Sequence, residues 1–440
     1  MDSRMPVSPV DAAWLRMDSD TNPMVITSLI GLDGPLEPAP LEQVVARMIA
    51  FPRFRQRIVA PRFGVGLAHW EDDPHFDPAL HIHRVALPSP GGSIALAQLV
   101  SDIMSAPLDR SRPLWQLYVV EGVEPPLGHG TALLTRVHHC LGDGLALVQM
   151  LLAVAGVRLS TAEVGLPPLP PTVGLSERAD HAMKDVAALG KLVFLPFDDR
   201  TPLSGRQSRG KRVAWSNAIP LESVKGIARA LGAKTNDVLM ASVTAAIRTY
   251  MLRRAALHED LEVHAIVPVL LRGTADDAGL GNHFGLVFAA LPLNIASPIE
   301  RVREMKRRMD AIKASPEADV TYGILGAAGL ASAQVERLVV ELFSRKGSLL
   351  VTNVAGPPLP IELGGRAVES MTVWAPTAGH VALGISLLSY AGTVSMTVAS
   401  DVALMRDPSL LAIAFEDDLG ELARLVSSGF SKEGAQIGMR

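Results

Sequence analysis

The stretch Thr131–Gly144, TALLTRVHHCLGDG, constrains the fold of this chain more than any other segment. Its first part, Thr131–His139, is rich in β-branched residues and leucine and contains no proline, which predicts a buried strand. Gly142 and Gly144 end that strand, and the mostly apolar run Leu145–Val154 predicts a helix directly after it. Strands alternate with helices in both halves of the sequence, which predicts an α/β architecture.

Two neighbouring histidines end the predicted strand. Successive strand side chains point to opposite faces, so His138 and His139 cannot both face one substrate, and we expect one to be chemical and the other structural. A histidine at the mouth of a strand is a candidate general base, since an ordinary pKa near 6.5 lets it accept and return a proton at neutral pH. Asp143, four residues past His139, is placed to fix the turn or to orient the ring. A pair of ordinary buried core histidines is the alternative that this pattern leaves open.

The segment His138–Gly144 has the pattern HHxxxDG, which resembles the active-site motif of the CoA-dependent acyltransferase superfamily. That superfamily includes chloramphenicol acetyltransferase, the condensation domains of peptide synthetases and bacterial wax ester synthases. The resemblance implies that His139 is the general base, that His138 supports it and that Asp143 is mainly structural. It also implies an α/β (α+β) fold of two chloramphenicol-acetyltransferase-like domains. Each would be a mixed sheet covered by helices, with the active site in a tunnel at their interface.

Further motifs narrow the resemblance to the bacterial wax ester synthase/acyl-CoA:diacylglycerol acyltransferase family, and they span nearly the full length. Two positions depart from the family pattern: His283 stands where arginine or glutamine is common, and Ala355 stands where proline is common. The first departure alters the charge of a loop, and the second leaves a turn less rigid. In chain order, the matching segments are Ser8-Pro9-Val10-Asp11, Pro113-Leu114-Trp115, Asn236-Asp237, Gly281-Asn282-His283-Phe284-Gly285 and Thr352-Asn353-Val354-Ala355-Gly356-Pro357.

The resemblance implies an acyl-CoA-dependent O-acyltransferase that gives wax esters or triacylglycerol as storage lipid. A long-chain acyl group would move from CoA to a fatty alcohol or diacylglycerol, with acyl-CoA as a co-substrate and no permanently bound cofactor. We expect the acceptor hydroxyl to attack the thioester directly, because CoA leaves as a thiolate. The sequence contains no GxSxG nucleophile elbow, which agrees with a route that has no acyl-enzyme.

An attack on a thioester creates an oxyanion, which needs a fixed hydrogen-bond donor. By the resemblance, Thr352 or Asn353 is the candidate donor. A polar strand end before the Gly356-Pro357 turn explains the same residues equally well. The residues that the resemblance assigns to substrate binding or to a motif are Gly144, Pro113, Leu114, Trp115, Asn236, Asp237 and Asn282.

A chain of 440 residues exceeds the usual size of a single core, so two domains are expected. We predict an N-terminal acyltransferase domain over residues 1–165 and a C-terminal one over residues 213–440. Residues 166–212 between them would form a linker, a helix and a crossover loop. The proline-rich segment Gly165–Gly174, GLPPLPPTVG, is typical of a semi-rigid spacer at that boundary.

In the second half, the Asn236-Asp237 pair also suits a helix cap, because such side chains accept hydrogen bonds from free amides. The Gly281–Gly285 segment only partly matches a dinucleotide fingerprint, and we reject that assignment because no helix start follows. The elements predicted there include the strand Val213–Ile219, the helix Val238–Arg253, the strand Leu261–Val267, the helical region Ile324–Phe343 and the strand region Ile385–Ala399.

Composition excludes several classes of protein. The mean hydropathy of +0.25 is high, yet no apolar run reaches the ~18 residues that a membrane span needs. We therefore expect a cytoplasmic protein that associates peripherally with the inner membrane or with lipid inclusions. The N-terminus lacks the order of a signal peptide. The single cysteine, Cys140, excludes an intrachain disulfide. A net charge of −4 gives no electrostatic case for nucleic acid, and no His/Cys/Glu spacing indicates a metal. A homodimer is compatible with the sequence.

Two alternatives stay open at the level of sequence. One is another reaction of the same superfamily, either the joining of carrier-bound thioesters or the acylation of a polyketide or glycolipid hydroxyl. The other is a non-catalytic lipid-inclusion protein, which amphipathic repeats would favour. The sequence shows no such repeats, and it retains both His139 and Asp143.

Overall fold

The computed structural model describes residues 5–60, 68–157, 189–190, 192, 194–271 and 282–437, with side chains described as far as residue 428. The predicted proline-rich spacer and most of the predicted linker lie outside these residues. The strands are β1 (Met5–Pro6), β2 (Val25–Leu32), β3 (Gln56–Val59), β4 (His69–Asp72), β5 (Ile82–Ala86), β6 (Trp115–Val123), β7 (Gly130–His138), β8 (Lys211–Trp215), β9 (Ile219–Pro220), β10 (His264–Leu270), β11 (Phe284–Ala290), β12 (Leu349–Ala355), β13 (Glu362–Leu363), β14 (Arg366–Trp374), β15 (Leu383–Tyr390) and β16 (Thr393–Asp401).

Helices cover the outer faces of the sheets. Within the described residues, no helix is both long and apolar enough to cross a membrane. The α-helices are α1 (Pro9–Met17), α2 (Pro38–Ile49), α3 (Ser93–Met104), α4 (Gly144–Ala155), α5 (Leu221–Ala230), α6 (Thr235–Arg253), α7 (Pro298–Lys313), α8 (Glu317–Leu330), α9 (Ala333–Ser344) and α10 (Ser409–Ile437).

The predicted strand–turn–helix unit around the histidines is confirmed, with one change at the end of the strand. Strand β7 ends at His138, and residues His139–Leu141 form a 3-10 turn before α4 begins. Helix α4 ends at Gly156, whose φ of 78° lies in the left-handed region that glycine adopts without strain. His139 therefore does not continue the strand, and its side chain direction is set by the turn.

Strand β7 lies in the middle of a six-stranded mixed sheet. The strand order is β13-β14-β2-β7-β6-β5, and β7 pairs antiparallel with β2 and with β6. A central strand has both edges paired and both faces covered, which explains its nearly continuous apolar sequence. The end of β7 is consequently fixed on both sides, with His138 opposite Val25 of β2.

A second sheet of seven strands is built from the second half of the chain. Its order is β11-β10-β12-β15-β16-β8, and β9 also pairs with β16. One face packs on α6 and α10 through a large apolar core that includes Val267, Val351 and Leu387. Because side chains alternate along a strand, their neighbours in sequence face the other way. That other face looks towards the first half of the chain.

The division predicted at residue 213 does not separate the two sheets. Strand β14, from the second half, lies in the six-stranded sheet and pairs antiparallel with β2, with Met371 opposite Ile30. The register joins six residue pairs, from Val368 opposite Leu32 to Trp374 opposite Thr27, so it covers the edge of β2 and ties the halves together. The site between the halves is thus bordered by chain that crosses from one to the other.

Two predicted elements of the second half are shifted: the helix predicted at 238–253 begins at Thr235, and the strand predicted at 261–267 is His264–Leu270. Three others are divided in the structure. The helical region 324–343 is two helices, α8 and α9, because Ser332 caps a new helix by accepting a hydrogen bond from the amide of Val335. The strand region 385–399 is the hairpin β15–β16, which turns at Ala391 and Gly392, both with positive φ. The strand 213–219 is interrupted between β8 and β9.

Helices α1 and α8 pack so closely that only glycine fits between them. A Cβ atom on Gly329 would lie 1.8 Å from the carbonyl oxygen of Pro9, a distance that no real contact allows. Arg16 of α1 donates through Nη2 to the carbonyl oxygens of Ala328 and Gly329, at 3.2 and 2.5 Å. Its Nε also pairs with Glu336 of α9. These contacts fix α1, a helix of the first half, against two helices of the second.

We predict opposite effects for two alanine substitutions on α8. Gly329→Ala forces α1 and α8 apart and should lower the free energy of unfolding by about 1–3 kcal/mol. Gly323→Ala meets open space, since no heavy atom lies within 4 Å of the added Cβ. It should raise the free energy of unfolding by about 0.5–1 kcal/mol, because alanine loses less backbone entropy in a helix. Denaturant unfolding of both variants tests the packing, and equal effects of the two would contradict it.

Candidate active site

A mainly apolar cavity of about 350 Å³ lies between the two halves of the chain. One wall is the free face of the second sheet, from β10, β11 and β12. Helices α1, α8 and α9 and the segment 373–381 form the other walls. Of the residues predicted for the site, His139, Asp143, Gly144, Thr352 and Asn353 line this cavity. The structure therefore brings a motif from each half to one place.

The imidazole of His139 is held between two aromatic rings at one end of the cavity. It stacks on Trp14 of α1 with ring centroids 4.3 Å apart and an interplanar angle of 15°. Phe284, at the start of β11, lies on another side, with a centroid distance of 5.7 Å. The Nδ1 atom is buried and has no hydrogen-bond partner among the described residues. Nε2 is consequently the ring nitrogen that a molecule in the cavity would meet.

Burial lowers the pKa of His139 below the ordinary value of 6.5. The negative charge of Asp143 acts in the opposite direction and favours the imidazolium, but it is the smaller cause. The ring is therefore neutral at pH 7, and a neutral imidazole is the form that accepts a proton.

The backbone of His139 is held by Asn282, from the segment just before β11. Its side-chain Nδ2 donates to the carbonyl oxygen of His139 and to Oδ1 of Asp11, both at 2.7 Å. All three residues are buried. Burial raises the pKa of Asp11, while the hydrogen bond from Asn282 lowers it. Asn282 does not line the cavity. It joins helix α1, through Asp11, to the turn that carries His139.

Asp143 fixes the turn after His139 through both of its oxygens. Oδ1 accepts from the amide of Ala146 at 3.0 Å and caps α4, while Oδ2 accepts from the amide of His283 at 3.1 Å. No hydrogen bond joins Asp143 to the ring of His139 within the described residues. The sequence left two roles for Asp143, and these contacts correspond to fixing the turn. The carboxylate acts on the ring of His139 only through its charge.

His138 lies away from the cavity and is buried. Its Nδ1 accepts a hydrogen bond from the amide of Cys140 at 3.1 Å, and this contact caps the 3-10 turn. Burial lowers the pKa of His138 to about 4, and Asp18, with Oδ1 3.9 Å from Nε2, opposes that shift. The sequence analysis expected the two histidines to diverge, and they do, although the turn after β7 rather than strand alternation directs His139.

Thr352 and Asn353 occupy successive positions of β12 and differ in what they contact. The Nδ2 of Asn353 donates to Oδ1 of Asn236 on α6 at 2.9 Å, so its amide is engaged although the residue also borders the cavity. Thr352 shares the opposite face with Val354, whose Cγ2 would lie 3.3 Å from a Cβ on Gly144. The hydroxyl of Thr352 has no hydrogen-bond partner in the part of the chain that the structure describes. Strand alternation thus separates two residues that the sequence left equivalent.

The remaining predicted residues lie outside the cavity. Trp115 is a core residue, since its Nε1 donates to the carbonyl oxygen of Phe54 at 2.8 Å and its ring stacks on His81. Leu114 is buried beside it, and Pro113 precedes β6. Asp237 accepts from the amide of Lys234 at 2.9 Å and so caps α6, as a capping residue should. None of these side chains reaches the cavity, so their contacts give them structural roles.

The sequence analysis did not single out Trp14 or Phe284 as neighbours of His139. Helix α1 begins after Ser8, whose Oγ accepts a hydrogen bond from the amide of Asp11. Trp14 lies one helical turn after Asp11 and therefore shares its face. That spacing was the available signal, but it carries no information about what the face contacts. Among the described residues, no cluster of three His, Cys, Asp or Glu side chains is suited to hold a metal ion.

The fold matches solved structures of two related kinds. A wax ester synthase/diacylglycerol acyltransferase from Marinobacter aquaeolei VT8 superposes with a TM-score of 0.71 at 23% identity, over 96% of this chain and 100% of that one. A variant of the starter condensation domain of rhizomide synthetase, in complex with C8-CoA and Leu-SNAC, superposes with a TM-score of 0.59 at 16% identity, over 97% and 95%. The protein therefore has the two-domain α/β fold that acyltransferases and condensation domains share.

Family models match most of the chain. The wax ester synthase/diacylglycerol acyltransferase catalytic domain matches residues 7–180, and the C-terminal domain of the same family matches residues 280–423. A probable diacylglycerol O-acyltransferase of Mycobacterium tuberculosis is 27% identical over 95% of each chain. The chain belongs to the wax ester synthase/diacylglycerol acyltransferase family and is an acyltransferase.

We predict that both histidines of the motif titrate below pH 6.5. Burial opposes the charged form of each ring, so the His138 transition should fall near pH 4, and that of His139 should lie below 6.5 as well. Two-dimensional NMR of imidazole-labelled protein over pH 3.5–8 measures both transitions, and the His138→Ala and His139→Ala variants assign them. A transition of either ring above 6.5 would contradict the buried, neutral site.

Proposed function

We propose that this chain is an acyl-CoA-dependent O-acyltransferase that transfers a long-chain acyl group from CoA to a fatty alcohol or to diacylglycerol. The products are wax ester or triacylglycerol. The observation that carries the proposal is a buried imidazole, His139, at the end of an apolar cavity whose walls come from both halves of the chain. An apolar cavity with few polar groups suits a lipid chain, and among the described lining residues the imidazole is the basic group at its end.

The reaction requires one proton to move from the acceptor to the leaving group. Nε2 of His139 takes the hydroxyl proton while the acceptor oxygen bonds to the thioester carbon. The tetrahedral intermediate then expels the CoA sulfur, breaking the carbon–sulfur bond, and the thiolate takes the proton back from the imidazolium. Asp143 stabilises the imidazolium through its charge, which acts strongly in a site with little water. No acyl-enzyme is formed.

The oxyanion of the intermediate needs a donor, and Thr352 is the better candidate of the two that the sequence offered. It lies on the cavity face of β12, next to Val354, and its hydroxyl is not engaged by other described residues. Asn353 is engaged with Asn236. Removing one preorganised donor commonly costs about 10²–10³ in rate, which makes the assignment measurable.

The substrate classes rest on the cavity and on the relatives. Apolar side chains dominate the lining, and the wall along β10 to β12 is long enough for an extended alkyl chain. One solved condensation domain with this fold was crystallised with C8-CoA, and mycobacterial relatives are named diacylglycerol O-acyltransferases. Long-chain alcohols and diacylglycerol partition into bilayers, so the protein is proposed to act peripherally, at the surface of the inner membrane or of lipid inclusions.

We predict that His139→Ala loses acyl transfer while the protein stays folded. The general base contributes roughly 10²–10⁴-fold, so kcat should fall by that factor. Radiolabelled palmitoyl-CoA with hexadecanol or with dioleoylglycerol, followed by thin-layer separation of wax ester and triacylglycerol, gives the rate. His138→Ala is the matched control, because it removes the neighbouring ring without touching the cavity and should cost mainly stability.

Three results would overturn parts of this proposal. Near-wild-type transfer by folded His139→Ala would remove the base, and a larger loss of kcat in His138→Ala would exchange the two roles. If the wild-type protein forms neutral lipid from neither acceptor, the proposed substrates are wrong. Transfer to a sugar or polyketide hydroxyl, or to an amine, would then assign another reaction of the same superfamily.

We also predict that substitutions of Thr352 and Asn353, the two polar residues of β12, have different effects on kcat. Thr352→Val keeps the shape of the side chain and removes its hydroxyl, so kcat should fall by about 10²–10³ with little change in KM. Asn353→Ala removes the hydrogen bond to Asn236 and should lower the melting temperature with kcat within a few-fold of wild type. The assay above measures both, and equal kcat values for Thr352→Val and wild type would exclude the hydroxyl as the donor.

A further inference from the structure

The apolar side chains on the sheet wall of the cavity form three rows that run across strands β11, β10 and β12. Each row is named by its residues on β11 and β10. The proximal row holds Phe284 and Leu270, the middle row Leu286 and Pro268, and the distal row Phe288 and Ile266. Each pair lies directly opposite across the antiparallel ladder, and all six residues line the cavity.

Strand β12 extends the rows on the other side of β10. Leu350 is aligned with Ile266 in the distal row, and Thr352 and Val354 follow at two-residue steps towards the other end. The proximal end is the reactive end, because Phe284 contacts the ring of His139 and Val354 approaches Gly144. The wall thus runs in one direction, from the imidazole to the distal row.

The distal end of the cavity is lined by side chains that pack against one another. Ile266 and Phe288 form one buried cluster with Leu192 and Val381, and Phe343 of α9 packs against it. The rings of Phe288 and Phe343 have centroids 6.2 Å apart. Leu192, at 1% exposure, belongs to this cluster but does not line the cavity, so it lies behind the wall.

We propose that the distal row and Phe343 set the length of the alkyl chain that this acyltransferase accepts. The inference rests on the proposed function and specifies where that substrate lies. Phe284 and Phe288 are four residues apart, about 13 Å along an extended strand. An all-trans alkyl chain rises slightly more per bond than an extended backbone does, so this span matches about ten carbon–carbon bonds. The length of the wall is therefore comparable to that of a fatty acyl or fatty alkyl chain.

The chain on this wall has two possible sources, the acyl group of the donor and the alkyl group of the acceptor. Both have a reacting end that must lie at His139 and a tail that needs an apolar surface. Two series of substrates distinguish them: acyl-CoA from C8 to C20 with one fixed alcohol, and primary alcohols from C8 to C20 with one fixed acyl-CoA.

Two substitutions should move the optimum in opposite directions. Phe343→Ala opens space beyond the distal row, so each methylene beyond the wild-type optimum should raise kcat/KM by about fourfold until the space is filled. Leu286→Trp fills the middle row and should shift the optimum to shorter chains, with a similar loss for each excluded methylene. Both shifts of the optimum should appear either in the acyl-CoA series or in the alcohol series, and not in both. The series that shifts identifies which substrate chain lies along the wall.

Leu342→Ala is the matched control for Phe343→Ala. It is the adjacent residue on α9, its side chain is exposed, and it does not line the cavity. It should leave both chain-length profiles as in wild type. Unchanged profiles for Phe343→Ala and Leu286→Trp in both series, in protein that turns over normally, would overturn the inference and leave the proposed function intact.

A binding measurement separates this inference from the reaction itself. S-alkyl-CoA thioethers from C8 to C20 have no reactive carbonyl, and calorimetry with them and with 1-alkanols reports chain length without turnover. If the protein transfers no acyl group but its affinity for one of these series still shifts with Phe343→Ala and Leu286→Trp, the chain site stands and the proposed reaction falls. Affinity that is independent of chain length in both series would overturn the site.

Discussion

The side-chain amide of Asn282 is the contact on which the arrangement of the site most depends. It donates at once to the carbonyl of His139 and to Asp11, so it joins α1, the turn after β7 and the start of β11. All of these groups are buried, so the loss of this donor would remove a hydrogen bond from each of two buried acceptors and should cost about 1–3 kcal/mol. The position of His139 is therefore a property of both halves of the chain together.

The same burial that fixes the turn also sets the chemistry. Trp14 and Phe284 exclude water from the ring of His139, which lowers its pKa, and Asp143 limits that effect by its charge. A neutral ring beside a fixed carboxylate is prepared to accept a proton and to be stabilised once it has done so. The apolar wall that begins at Phe284 then extends the site away from the ring along β10 and β11.

Local sequence patterns predicted the elements well where a single strand or helix decides the pattern. The strand before the HHxxxDG segment and the helix after it are as expected, and Asp237 caps α6 from within its first turn. Errors arose where an apolar pattern continues through a break, as between α8 and α9 or through the β15–β16 hairpin. Periodicity describes which side is buried and not where the chain turns.

The sequence by itself determined the family resemblance, the strand that ends in two histidines and the short set of polar residues among which the chemistry must be sought. Only the tertiary structure decided that Thr352 faces the cavity while Asn353 binds Asn236, that Trp115 lies in the core, and that Trp14 covers His139. It also decided that β14 crosses into the sheet of the first half. The physical reason is that these outcomes depend on strand register and on contacts between residues hundreds of positions apart, which local propensity and spacing do not encode.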